Sequence, residues 1–169
     1  MTNEMTIVNN VTGETITASE VIVSDTPEYT IVQTQDGKFK KNMKYQAFSS
    51  RHPETQEEKI ELYKVLNEDN NDKVIPMKNV LDKEITIEHV FINPYTSFDE
   101  ETGKNTHGVT TTIQSDGMYY VTSSKSVYYT LRNLFSTFGN PTDENYQPIK
   151  VVVTGTKQKN GVQINLKLA

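Results

Sequence analysis

Apolar and polar residues alternate at a period of two along much of the chain, and two segments replace that rhythm with helical spacing. Residues 1 to 24 hold short mixed runs such as ETITASEVIVS, which are weakly strand-like. The stretch EYTIVQTQDGKFKKNMKYQAF reads as a hairpin: a β-rich run from Tyr29 to Thr34, a Gln-Asp-Gly turn at 35 to 37, and a second run to Phe48. Pro53 and Glu54 then favour a helix start, and Ile60, Leu62, Tyr63 and Leu66 supply a partial apolar face. Acidic residues sit early in this segment and an Asn/Asp cluster at 67 to 72 closes it, so a helix is predicted from about 54 to 67. DKVIPMKNVLDK follows as a linker.

From Glu84 the pattern sharpens. In EITIEHVFINPYTSF, Ile85, Ile87, His89 and Phe91 fall on one face and Thr86, Glu88, Val90 and Ile92 on the other, which predicts one long strand. DEETGKNTHG is a polar loop, VTTTIQS a second strand, Asp116-Gly117 a turn, and MYYVT a third strand. Ser123 or Ser124 can then cap a helix whose Val127, Leu131, Leu134, Phe135 and Phe138 share one face. Gly139 suits the left-handed position after a helix, and Pro141 forbids continuation. PIKVVVTGTK, an Asn160-Gly161 turn and VQINLKLA supply two last strands.

This order of three strands, a helix and two strands is that of an OB-fold, a five-stranded barrel in which one helix plugs the gap between strands three and four. The predicted fold is therefore mainly β with one or two helices. An OB-like barrel is expected over 84–169, with a hairpin-and-helix extension over 1–83 packed on it. Other small α+β folds also place one helix among antiparallel strands.

Composition narrows the chemistry. The 169 residues suffice for a real core, and the absence of cysteine removes disulfides, thiolate nucleophiles and cysteine-ligated zinc. MTNEMTIVNNVTGETI has neither the basic nor the apolar region of a secretory signal, and no apolar run reaches the roughly 20 residues of a membrane helix. A cytoplasmic protein with no membrane partner is expected. His52, His89 and His107 lie in separate segments without metal-ligand spacing, and the acidic run at 99–101 reads as a solvated loop. No nucleophile elbow, phosphate loop or zinc-protease motif occurs, so no enzyme, cofactor or metal is predicted.

A net charge of −5 opposes a global attraction to nucleic acid, but binding depends on the local field. GKFKKNMKYQAFSSR carries Lys38, Lys40, Lys41, Lys44 and Arg51 interleaved with Phe39, Tyr45 and Phe48, and no acidic residue. Cations that neutralise phosphates beside rings that stack on unpaired bases are what single-stranded nucleic acid requires. The same residues would also suit an edge strand whose lysines prevent pairing and whose rings face the core.

A second candidate surface is the face of strands two and three of the barrel. With Val109, Ile113 and Val121 inward, Thr110, Thr112, Met118 and Tyr120 would face out; a shift of one residue exchanges Tyr120 for Tyr119. Phe91 and Tyr95 are further candidate stackers, and Lys157 and Lys159 lie in the loop between strands four and five. Of the neighbours Tyr128 and Tyr129, one should flank the core and the other solvent, since adjacent helical residues point about 100° apart.

GVTTTIQSDGMYYVTSSKSVYYTLRNLFSTFGNP followed by PIKVVVTGTKQKNGVQINLKL resembles the C-terminal half of single-stranded DNA-binding proteins from small tailed phages and mobile elements of Gram-positive bacteria. MKYQAFSSRHPETQEEKIELYKVLNE extends the resemblance back to about residue 28. It implies an OB-type fold and sequence-tolerant coating of single-stranded DNA during phage genome replication, in the host cytoplasm. Better-known bacterial single-strand binders carry an acidic, Gly/Pro-rich C-terminal tail that recruits partners; NLKLA differs, so recruitment of replication proteins that way is not expected. The alternative is an acidic protein-binding OB module that engages a replication protein. A virion structural domain is a third reading.

Overall fold

The computed structural model describes residues 5–8, 15–18 and 20–169, with side chains from residue 20 onward. The mixed runs expected over 1 to 24 lie outside the described residues at 1–4, 9–14 and 19. The chain divides into two compact units, Met1–Gln46 with Thr96–His107, and Ala47–Tyr95 with Gly108–Ala169. The division does not run at residue 83, where the sequence pattern suggested one.

The first unit begins with β1 (Met5–Val8) and β2 (Thr15–Ala18), an antiparallel pair. Its main sheet is β3 (Glu20–Asp25), β4 (Tyr29–Thr34) and β5 (Phe39–Met43), in that spatial order and antiparallel throughout. The hairpin at 29–43 follows the sequence pattern, but its second strand stops at Met43 rather than Phe48. Lys44 and Tyr45 instead return their backbone N–H groups to the carbonyls of Glu28 and Pro27.

The second unit starts with β6 (Phe48–Ser49) and α1 (Gln56–Asn67). Thr55 and Glu58 form a reciprocal capping box at the helix start, which satisfies N–H groups the first turn leaves unpaired. The segment read as a linker is built into the fold: β7 (Val74–Pro76) pairs parallel with the strand at Met118–Thr122, and a 3-10 turn at Met77–Asn79 buries Met77 completely. The single long strand expected from Glu84 is two, β8 (Glu84–Ile87) and β9 (His89–Asp99). They part at Glu88, whose N–H donates to the Gln114 carbonyl. Then come β10 (Lys104–Ser115), β11 (Met118–Thr122), α2 (Lys125–Phe138), β12 (Ile149–Gln158) and β13 (Gly161–Leu168).

These strands form two open sheets, ordered β6-β9-β10-β11-β7 and β13-β12-β8, and not the closed five-stranded barrel that was expected. The cause lies at β11 and β13. β11 gives its outer edge to β7, while the Ile164 carbonyl on β13 accepts the Ser124 hydroxyl at 2.6 Å, just before α2. The protein is mainly β with two helices.

Of the predicted apolar face of α2, Val127, Leu131 and Leu134 are buried, with Tyr128, but Phe135 is half-buried and Phe138 exposed; Tyr129 is exposed, as the 100° argument requires. The buried ones share the interior with Val90, Ile92, Val109, Ile113, Val151, Val153, Ile164 and Leu166, each fully buried side chain contributing roughly 1.5–3 kcal/mol. A smaller cluster of Val65, Phe91 and Tyr119 lies under α1, joined by Leu62, Leu66 and Val74. Ile60 and Tyr63, read as part of that helix's apolar face, are exposed instead.

Candidate nucleic-acid interface

β5 is the edge strand of the first unit's sheet, and all five of its residues are exposed. In an antiparallel pair, directly opposed residues share a face. Phe39, Lys41 and Met43 stand opposite Gln33, Ile31 and Tyr29, so these six make one face, while Lys40 and Asn42 stand on the other opposite Val32 and Thr30. The Lys41 ammonium lies 4.1 Å from the Tyr29 ring centroid, a cation–π contact. Phe39 is 66% exposed, so its ring is open to a stacking partner. Tyr29 was not singled out from the sequence. Its signal was the hairpin register, which sets it opposite Met43 and beside Lys41.

The neighbouring cations differ in their engagement. Lys40 makes no ion pair among the described residues. Lys38 pairs with Asp36 at 2.7 Å, but its side chain is 82% exposed, and such surface pairs are cheap to exchange. Lys44 is held more firmly. Its ammonium donates to the Asp25 carboxylate, which also accepts from Thr30 Oγ1 at 2.9 Å and faces His107 Nε2 at 2.9 Å. His107 Nδ1 in turn meets Thr96 Oγ1 at 3.0 Å. The Lys44 and Thr30 hydrogen bonds, in that order, bring the Asp25 carboxyl down to about 2. This cluster joins β3 to the strand ends at 96–107, a structural role that the sequence did not reveal.

Three rings proposed as stackers are core residues. Tyr45 is 6% exposed, Phe91 1% and Tyr120 3%, so none offers a face to a base. The register explains Tyr120: it pairs with Ile113 and turns to the interior, where its hydroxyl accepts from Lys83 at 2.7 Å. Tyr119, the alternative, pairs with Gln114 on the opposite face, yet is covered beneath α1. Val121 shares that outer face with Thr112 and does not turn inward as expected. Phe91 packs on Tyr119 with ring centroids 6.4 Å apart.

Arg51 belongs to the second unit and braces it by donating to the Tyr119 hydroxyl at 3.2 Å. Lys157 and Lys159 are exposed at the β12–β13 turn and make no ion pair among the described residues. Tyr95 remains 40% exposed on β9. Its ring rests on Gly108, where any Cβ would lie 2.5 Å from ring atoms, so glycine alone admits this arrangement.

No group of three metal-ligating side chains occurs among the described residues. Asp99 uses its carboxylate to accept the N–H groups of Glu101 and Thr102, closing its own turn. No helix among the described residues is long and apolar enough to cross a membrane.

No solved structure matches the chain. The single-stranded DNA-binding protein of Bacillus phage GA-1 is 36% identical to it over 155 residues, covering 90% of each chain. Residues 40–169 match the family described as phage single-stranded DNA-binding protein. With most of its length inside that match, and a relative similar along nearly all of both chains, the chain belongs to the phage single-stranded DNA-binding proteins, a family of binders and not of enzymes.

Proposed function

We propose that the protein binds single-stranded DNA with little regard to sequence and coats it during phage DNA replication, in the host cytoplasm. The observation that carries this is β5, an edge strand that shows Phe39, Lys41 and Met43 to solvent on the face of Tyr29, with Lys40 on its other side. Rings supply stacking worth about 1–3 kcal/mol per base, and lysines displace counterions from phosphates. Tyr95 on β9 is a second stacker, and Lys157 and Lys159 are further phosphate contacts. Burial removes Tyr45, Phe91 and Tyr120 from the set of stackers, and Lys44 and Arg51 act as braces.

The connectivity also favours an OB-type ancestry for the second unit. The run from Glu84 feeds both sheets, β8 pairing with β12 and β9 lying beside β10, with α2 between β11 and β12. On this reading the barrel is opened at β11 and β13, with β7 on the free edge.

Nine tyrosines and no tryptophan make tyrosine fluorescence a clean reporter. Titration with oligo-dT at low salt should quench it at micromolar protein, and addition of salt should reverse the quenching. Absence of any binding at low salt would overturn the proposal.

A further inference from the structure

On the second unit, the outer face of β9, β10 and β11 ends in a recess of about 240 Å³ beside the last turn of α1. Leu66 and Asn67 form its helix side, Asn93 and Tyr95 come from β9, and Thr110 and Thr112 from β10. No charged residue among the described ones lines it. Among the described residues, the side chains of Asn93, Thr110 and Thr112 make no hydrogen bond, although Thr112 is only 3% exposed. Among the described residues the hydroxyl buried outright without a partner is that of Thr111; the Thr112 hydroxyl instead stays open to whatever occupies the recess.

Size and chemistry together restrict the ligand. The volume falls below the roughly 300–1,000 Å³ of pockets for drug-sized molecules, which suits a single ring system. A lining without charge suits a neutral ligand and gives a phosphate or a metal ion no counter-charge. The Tyr95 ring, fixed against Gly108, is a flat wall, and two hydroxyls and an amide supply both donors and acceptors.

We infer that this recess receives one unstacked base of the bound strand, its ring against Tyr95 and its polar edge toward Asn93, Thr110 and Thr112. The inference rests on the single-stranded DNA reading above and assigns one base position within it. Hydroxyls rotate, and an amide presents a donor and an acceptor side by side, so such a set meets the edge of any base. The recess is thereby compatible with sequence-tolerant binding.

The test compares oligo-dT with an abasic oligomer of equal length, for the wild type and for the double variant Asn93→Ala/Thr112→Val. Loss of two hydrogen bonds to the base should weaken oligo-dT binding at least about fivefold and leave abasic binding unchanged. Thr112→Ser, which keeps the hydroxyl, should bind oligo-dT as the wild type does. Unchanged oligo-dT affinity in the double variant overturns the inference while the single-stranded DNA reading stands. Equal losses on both oligomers overturn it too, since the residues then act without the base. If the wild type binds neither oligomer, it is the broader reading that falls.

Discussion

At the scale of single residues, exposure separates rings that can stack from rings that hold the core. Phe39→Ala should leave stability nearly unchanged, the ring being 66% exposed, and weaken oligo-dT binding by about 1–3 kcal/mol, read by fluorescence titration. Phe91→Ala, at 1% exposure, should do the reverse: about 3–5 kcal/mol of stability lost in urea unfolding, from a cavity beside Tyr119 and Val65. Asp25 makes a pH-dependent contribution. Its carboxyl lies at about 2 against an ordinary 3.8, so the folded state favours the charged form. The contribution is complete above the ordinary value and is lost as pH falls toward about 2. In Asp25→Asn that part of the acid dependence should vanish from thermal melts, and amide exchange at 96–107 should quicken even at neutral pH. The sequence showed Lys38, Lys40, Lys41 and Lys44 as one basic run. It could not show that Lys44 is held by a carboxylate 19 residues away, because ion pairing across a sheet leaves no local trace.

At the scale of elements, legibility followed the strength of the local signal. α2 was readable because its apolar spacing ends in Gly139 and Pro141, and Gly139 does adopt a positive φ of 84° as the residue after the helix. α1 was readable as a helix, and half of its expected face holds: Leu62 and Leu66 turn inward, joined by Val65, whereas Ile60 and Tyr63 do not. β7 could not be read at all, since three residues pairing parallel with a strand some 45 positions later have no periodicity to detect. That strand decides whether the sheets close. The break at Glu88 was hidden for a related reason: Val90, Phe91 and Ile92 are all buried, so alternation fails where both faces are covered. Thr55→Ala should cost about 0.5–2 kcal/mol by deleting the capping box of α1, measured by chemical denaturation.

At the scale of the whole molecule, a chain of net charge −5 is proposed to hold a polyanion. The conflict resolves locally: β5 carries two lysines and no acid, and salt screens interactions beyond about 10 Å at 0.1 M ionic strength. Attraction then comes from cations within contact distance of phosphates, and the rest of the surface matters little. The dependence of oligo-dT affinity on salt tests this most directly, measured for the wild type and for Lys40→Ala/Lys41→Ala. Each lost phosphate contact should flatten the plot of log affinity against log salt concentration by about 0.7, so the double variant should be shallower by about 1.4 and weaker at low salt. Coincident lines for the two proteins would contradict the account, because the exposed strand would then have no part in holding the DNA.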